Sequence, residues 1–439
     1  MRKASVILWV VLIVALVGFP GFAGGKPEGG KAESGMPFAG TQLNALLEGH
    51  PTVTAIQKLL PEFEKLTGIK VTIEILPFEE MTAKAYLGMS QKSDRYDVYM
   101  DHWGQGIAYA KNGYIQALDP YIDDPKLNKY FDKGDLVPSF LNNARYENKQ
   151  YGLPVYGEST FFYYRKDLFD KYGLKVPQYT DELMQACETL AAKGEIYPIT
   201  LRAQQGVHAV YIWCTFLWGF GGHWLDENGK LDIATPEAIE ATKFYAMLLN
   251  KYAPPGYANF GWTENRVSFT TGKAAMSIDA TVNGAFNEDP KESLVVGKVG
   301  YAPAPFKRGA VLKGGTQSLA AHHYYINNFS RNKEAAWLFS SWATSADAQI
   351  KSQALEPNSG ATSLKAMQST AYQEKFGAFR EGMLEALKKG NPKYLIEVPG
   401  ANVIYDKVGR ALSEVVAGTK TAEQALKEVN EDINSSVLK

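Results

Sequence analysis

Two cysteines, Cys187 and Cys214, are all that 439 residues contain. With no close Cys/Cys or Cys/His spacing they make no zinc or cluster site. Both fall in segments that read as helical, and spacing alone leaves a disulfide between them open. Catalytic motifs are missing as well. There is no glycine-rich phosphate loop ending in lysine, no G-x-S-x-G elbow and no H-E-x-x-H pair. An excess of charge of one sign is also absent: Lys+Arg number 46 against Asp+Glu 47, a formal net charge of -1. Such a balance offers no footprint for nucleic acid or an anionic membrane surface, so the expected partner is uncharged or weakly charged. His322 and His323 form the most tempting metal pair. Neighbours on a strand point to opposite faces, so the two cannot share one ion. A glycoside hydrolase would need two carboxylates flanking one bond. Glu158, Asp101 and Asp279 are candidates, but linear sequence sets no distance between them. The chain is therefore expected to carry no catalytic residues, metal or cofactor. No fixed-period repeat is present.

Long apolar runs are confined to one place. Arg2 and Lys3 precede the run Ala4 to Phe19, and Gly21-Phe22-Ala23 follows with small residues where a signal peptidase reads. Residues 1–23 thus read as a cleaved secretory signal, short of the about 20 apolar residues a membrane span needs. No cysteine lies near the cleavage point, which excludes a lipoprotein anchor. Residues 24–37, GGKPEGGKAESGMP, have almost no apolar side chains and read as a flexible leader. The remaining roughly 400 residues are too many for one core and suit two or three domains. The expected location is the periplasm or the cell exterior.

Aromatic residues make up 12% of the chain, including 25 tyrosines and 8 tryptophans, which points to stacking surfaces as well as cores. Thr41 to Glu48 reads as a strand ending at Gly49-His50-Pro51. Val53, Ile56, Leu59, Phe63 and Leu66 then recur with helical spacing until Gly68, and Ile69, Val71, Ile73 and Ile75 alternate as a second strand. Strand, helix and strand with short connections predict a parallel sheet, whose ligands bind beyond the carboxyl ends of strands. That rule singles out His50 and the group Asp101, His102, Trp103. The stretch Lys149 to Leu168, KQYGLPVYGESTFFYYRKDL, is punctuated by Gly152, Pro154 and Gly157 and then turns aromatic, so it reads as a crossing that brings Glu158 to a cleft or, alternatively, to a solvated turn.

Several stretches resemble, in order, the extracellular solute-binding proteins of sugar ABC transporters. They are PEFEKLTGIKV, YDVYMD with YAKNGYIQALDPYI, YGLPVYGESTFFYYRKDLF, FTTGKAAMSID, GGTQSLAA with SRNKEAAWLFSSWATS, and AGTKTAEQALKEVNEDI. The resemblance implies an α/β type II periplasmic-binding fold, two lobes joined by three crossings near Gly157, Pro303 to Phe306, and Ala343. One lobe would comprise 38–157 and 305–343, the other 158–304 and 344–439. It also implies a monomer that binds a neutral sugar or polyol and passes it to membrane permease subunits; the same fold holding a charged solute is the alternative. Family positions imply ligand contacts from Glu48, His50, Asp101, His102 and Trp103 in the first lobe, from Glu158 at the first crossing, and from Arg202, Gln205, His208, Trp262 and Asp279 in the second. Gly314 and Gly315 match glycines that allow close backbone approach. The pattern of aspartate, lysine and aromatics used by maltose-binding protein is not reproduced, so the carbohydrate is expected to differ. For Trp103 and Trp262 ordinary core packing is the alternative to stacking.

Overall fold

The computed structural model describes residues 36–356, 360–388, 390–396, 398 and 400–438. The expected signal and all but the end of the leader lie outside the described residues. Two sheets organise the remainder. Strand β1 (Gln42–Glu48) runs into helix α1 (Pro51–Thr67), which starts with a proline in its first turn and stops at Gly68, whose left-handed φ of 72° needs no Cβ. Strand β2 (Lys70–Leu76), helix α2 (Phe78–Ser90), strand β3 (Val98–His102) and helix α3 (Trp103–Lys111) follow. Alternation along β1 decides the layers. Leu43, Ala45 and Leu47 face the side of α1, whereas Leu46 joins Met81, Ala85 and Tyr109 on the opposite face.

Strand β4 (Gly152–Glu158) belongs to this first sheet, and strand β5 (Thr160–Arg165) to the second. Strand β6 (Tyr197–Thr200), helix α4 (Val207–Gly219), helix α5 (Trp262–Thr270), strand β7 (Ala274–Ala280) and strand β8 (Val299–Ala302) continue the second half. Strand β9 (Ala320–Ile326) then returns to the first sheet. The first sheet is ordered β2-β1-β3-β9-β4, with β1 parallel to β2 and β3, and β9 antiparallel to both its neighbours. The second is ordered β8-β5-β7-β6, and only its β6/β7 pair is parallel. Both sheets are thus mixed. Helices α6 (Lys333–Ala343), α7 (Ala346–Leu355), α8 (Arg380–Lys388), α9 (Ala401–Val416) and α10 (Ala422–Ser436) complete the main framework. Cys187 and Cys214 are both free and buried in the core of the second half.

A single residue, Ser159, separates the two sheets at the first passage. Its N–H donates to Thr281 Oγ1 at 3.0 Å and its carbonyl accepts from Thr281 N at 2.8 Å. The second passage lies later than Pro303 to Phe306. Phe306 bonds Gln178 and Thr180 through its backbone and Lys307 bonds Gly219, so the proline-rich stretch ends β8 yet stays on the second half. The chain changes sheets only at Ser318, whose N–H donates to Thr160 Oγ1 at 3.0 Å, just before β9. Ala343 is likewise too early for the third passage. Trp337, Phe339 and Trp342 of α6 pack with Phe63 of α1, and Lys351 of α7 pairs with Glu62 at 2.6 Å. The chain reaches the second sheet later, where Phe379 packs on Phe161 and Tyr301 and Met383 of α8 joins Phe161 and Tyr163.

That last cluster is shared. It joins Phe140 and Ala321 from the first half with Phe161 and Tyr163 from the second, and Phe376 and Phe379 close it. Gly157 fits here because a Cβ would overlap the ring of buried Phe140. Gly157→Ala should therefore cost about 1–3 kcal/mol through overpacking. A lowered thermal midpoint is expected, and an unchanged midpoint would show that the ring has room to move.

Candidate functional site

Between the two sheets lies a cavity of about 330 Å³, lined from both halves. The first half contributes what stands at and beyond its strand ends. Glu48 ends β1, His50 caps α1, His102 ends β3, Tyr156 and Glu158 alternate on β4, and His322 lies on β9. From the second half come Arg202 just after β6, His208 and Tyr211 on α4, and Trp262 at the start of α5.

One wall is a stack of rings. His50 lies on Tyr156 with centroids 3.8 Å apart and planes 7° from parallel, and Tyr156 lies on His322 at 4.4 Å and 20°. Glu48 ties the stack: its Oε2 accepts from Tyr156 Oη at 2.9 Å and lies 2.8 Å from His322 Nδ1. Burial pushes the Glu48 carboxyl up, but His322, His50 and the tyrosine hydroxyl outweigh it and hold the group below the usual carboxylate range. The imidazoles are consequently unlike. Burial disfavours the His322 cation, yet Glu48 beside it leaves its pKa raised, whereas burial drives His50 to about 4 and His102 to about 3. His50 Nδ1 accepts from Thr52 N at 3.1 Å, so the proton of this neutral ring sits on Nε2, where it has no partner.

The opposite wall rests on a buried pair. Arg202 donates from Nε and Nη2 to Asp279, which also accepts from Asn265 Nδ2 and Ala280 N. The guanidinium lies over the Tyr211 ring at 4.7 Å. Half-buried Glu158 stands between the walls, and its carboxyl bonds to no described residue. Desolvation raises its pKa to about 7, against the opposing pull of Arg202 and His322. His208 Nε2 reaches across to Glu79 Oε1 at 3.2 Å, one half touching the other beside the cavity.

A profile of the bacterial extracellular solute-binding protein family matches residues 49–350. The chain belongs to that family. A mannitol-binding protein of Pseudomonas aeruginosa is 30% identical over 401 residues, 84% of this chain and 87% of that protein. Among solved structures, a solute-binding protein of Agrobacterium radiobacter K84 in complex with ribitol superposes with a TM-score of 0.83 at 27% identity, covering 90% of this chain and 98% of that one. One from Agrobacterium vitis S4 with bound D-mannitol gives 0.80 at 29%, with the same coverage. The fold is the type II periplasmic-binding fold.

In this solute-binding protein Glu48, His50, His102, Glu158, Arg202, His208 and Trp262 all line the cavity, and other expected residues do not. Asp101 points the opposite way from His102, into the core, where it accepts from Thr82 Oγ1 at 3.1 Å and Tyr109 Oη at 2.7 Å. Gln205 is exposed and its neighbour Gln204 lines the cavity, because Gly206, at a φ of 94°, turns the chain before α4 begins. Asp279 sits behind Arg202. Gly314 lies against Asn391 and Trp218, and with Gly315 it stays outside the cavity because the 303–316 segment remains on the second half. Trp103 opens α3, and its side chain lies outside the described residues. Trp262 donates Nε1 to Asn283 Oδ1 at 2.6 Å, and its ring meets the edge of Phe286 at 5.8 Å. Sequence reasoning missed Tyr156 and His322 as cavity residues. Strand alternation carried the signal: Tyr156 shares a face with Glu158, and His322 pairs with His102 on the face opposite His323.

Removing one partner of a buried ion pair leaves the other charge uncompensated. Asp279→Ala should cost about 3 kcal/mol in urea denaturation, and Asp279→Asn, which keeps an acceptor for the guanidinium, should cost less. Equal stabilities of the alanine variant and the parent would show that Arg202 is solvated without its partner.

Proposed function

We propose that the protein binds a neutral polyol or small sugar in this cavity without transforming it and, as a monomer, presents it to the permease subunits of an ABC importer. The observation that carries the reading is an acceptor left open on the cavity: the Glu158 carboxyl bonds to no described residue, beside His50, which also lines the space. Ligand hydroxyl groups satisfy such an acceptor. At about 330 Å³ the space is at the small end of ligand pockets, which suits one sugar-sized unit better than a long oligosaccharide. The mannitol-binding relative and the neighbours carrying ribitol and D-mannitol support the polyol class. Residues from both halves line the space, so a ligand favours the closed arrangement to the extent that it contacts both.

Calorimetry with D-mannitol, ribitol, erythritol and maltose tests this directly. At least one alditol should bind tightly, and small-angle scattering should show compaction at saturation. Binding restricted to charged solutes would overturn the reading. Glu158→Gln keeps the shape and weakens the acceptor, so affinity should fall ten- to hundredfold, as expected for about 1.5–3 kcal/mol in a hydrogen bond to a charged group.

The amino-terminal segment supports export, in keeping with an extracellular family. We propose cleavage after Ala23. Intact mass of the secreted protein should correspond to a chain starting at Gly24; a mass retaining the Ala4 to Phe19 run would mean an uncleaved anchor.

A further inference from the structure

Glu48 ends β1 and lines the cavity, yet its described hydrogen-bond and ion-pair partners are internal. Tyr156 and His322 converge on one of its oxygens, at 2.9 and 2.8 Å. The consequence shows at His322. Its Nδ1 is shut off from solvent and turned to Glu48, while Nε2 bonds to no described residue and opens onto the cavity. We propose that Glu48 is a positioning residue and that His322, held by it with Nε2 toward the cavity, is a specificity-determining donor that places its Nε2–H on a ligand oxygen. This rests on the polyol reading above.

Three features of the surroundings support it. The Tyr156 ring lies 4.4 Å from His322 on one side and the Phe78 ring 5.7 Å away on another, so the imidazole has little freedom to turn. The groups that bear on its charge are Glu48 from β1, Glu158 from β4 and Asp101 from β3, all carboxyls that favour the cation, with His102 from β3 at 6.4 Å, His50 at the start of α1 and His323 beside it on β9 opposing it. His323, next in the chain, faces away and bonds Phe140 O at 2.9 Å. Finally, donor and acceptor are neighbours. On the paired strands, Ala320 stands opposite Glu158 and His322 opposite Tyr156. A hydroxyl can accept from His322 while donating to Glu158. A carboxylate in the same place has no hydrogen to give and meets the charge of Glu158. The site should therefore prefer an alditol over the aldonic acid of equal carbon number.

The sign of the pH dependence follows. The His322 cation is present below its raised pKa and is lost as pH rises through it, so affinity should fall on the alkaline side. Glu158 works in the opposite direction, gaining charge as pH passes about 7.

Calorimetric titration with D-mannitol and ribitol across pH separates the two. In the parent, binding weakens on the alkaline limb. His322→Gln should lose about tenfold or more at acidic pH and show no such limb. Glu48→Gln should keep the limb but move it to lower pH, a displacement that loss of packing alone would not produce. An alkaline limb unchanged in His322→Gln, or unmoved in Glu48→Gln, overturns the assignment. If neither variant folds by circular dichroism, the parent decides: a profile flat through the alkaline side, or an aldonate bound as tightly as the alditol, overturns it. A parent that binds no alditol at any pH removes the polyol reading itself and this inference with it.

Discussion

The reciprocal backbone and side-chain bonds between Ser159 and Thr281 are the joint on which the rest depends. One residue on, Thr160 Oγ1 receives the Ser318 N–H, so the first two passages between sheets are fastened side by side. Both lie in the buried interior, where an unpaired backbone group would be costly. The arrangement leaves almost no slack between β4 and β5. Glu158, the last residue of β4, is therefore held next to the joint, on the same cavity as Arg202 of the other half.

Around that joint the protein places charge sparingly and in opposite ways. On one wall Arg202 is anchored by Asp279 before any ligand arrives, so its orientation is set in advance and little reorganisation is left for binding. On the other, Glu48 separates chemically identical rings: burial lowers the pKa of His50 and His102, whereas Glu48 beside His322 leaves that ring's raised. Three imidazoles thus offer different hydrogen-bonding faces. A cavity with few tryptophan surfaces can still discriminate by this means.

Much of the fold was legible because periodicity and punctuation agree locally. His50-Pro51 and Gly68 bound α1 as expected, and alternation from Ile69 marked β2. The site was legible where a residue stands at a strand end, as with Glu48, His102 and Arg202. It failed where orientation depends on partners distant in sequence. Asp101 and His102 are adjacent, and only pairing with β9 shows which of them faces the cavity. The later passages were misplaced for a similar reason: Pro303 to Phe306 ends a strand, but its backbone bonds go to Gln178, Thr180 and Gly219, partners that no local pattern names. Stacking surfaces were expected from tryptophan, and the stacked rings on the cavity wall are instead His50, Tyr156 and His322, which the start of α1, β4 and β9 bring together.

Strand β9 sits between β3 and β4 in the first sheet, although more than half of the chain precedes it. During synthesis, β3 and β4 emerge long before the strand that joins them, and their facing edges stay unpaired until it appears. Pairings of such large sequence separation are slow to form, and unpaired edges favour association with other chains. In a member of an extracellular solute-binding family, that delay sets when the sheet can close. A chain that cannot close its first sheet early keeps two strand edges open until nearly three quarters of it has been made.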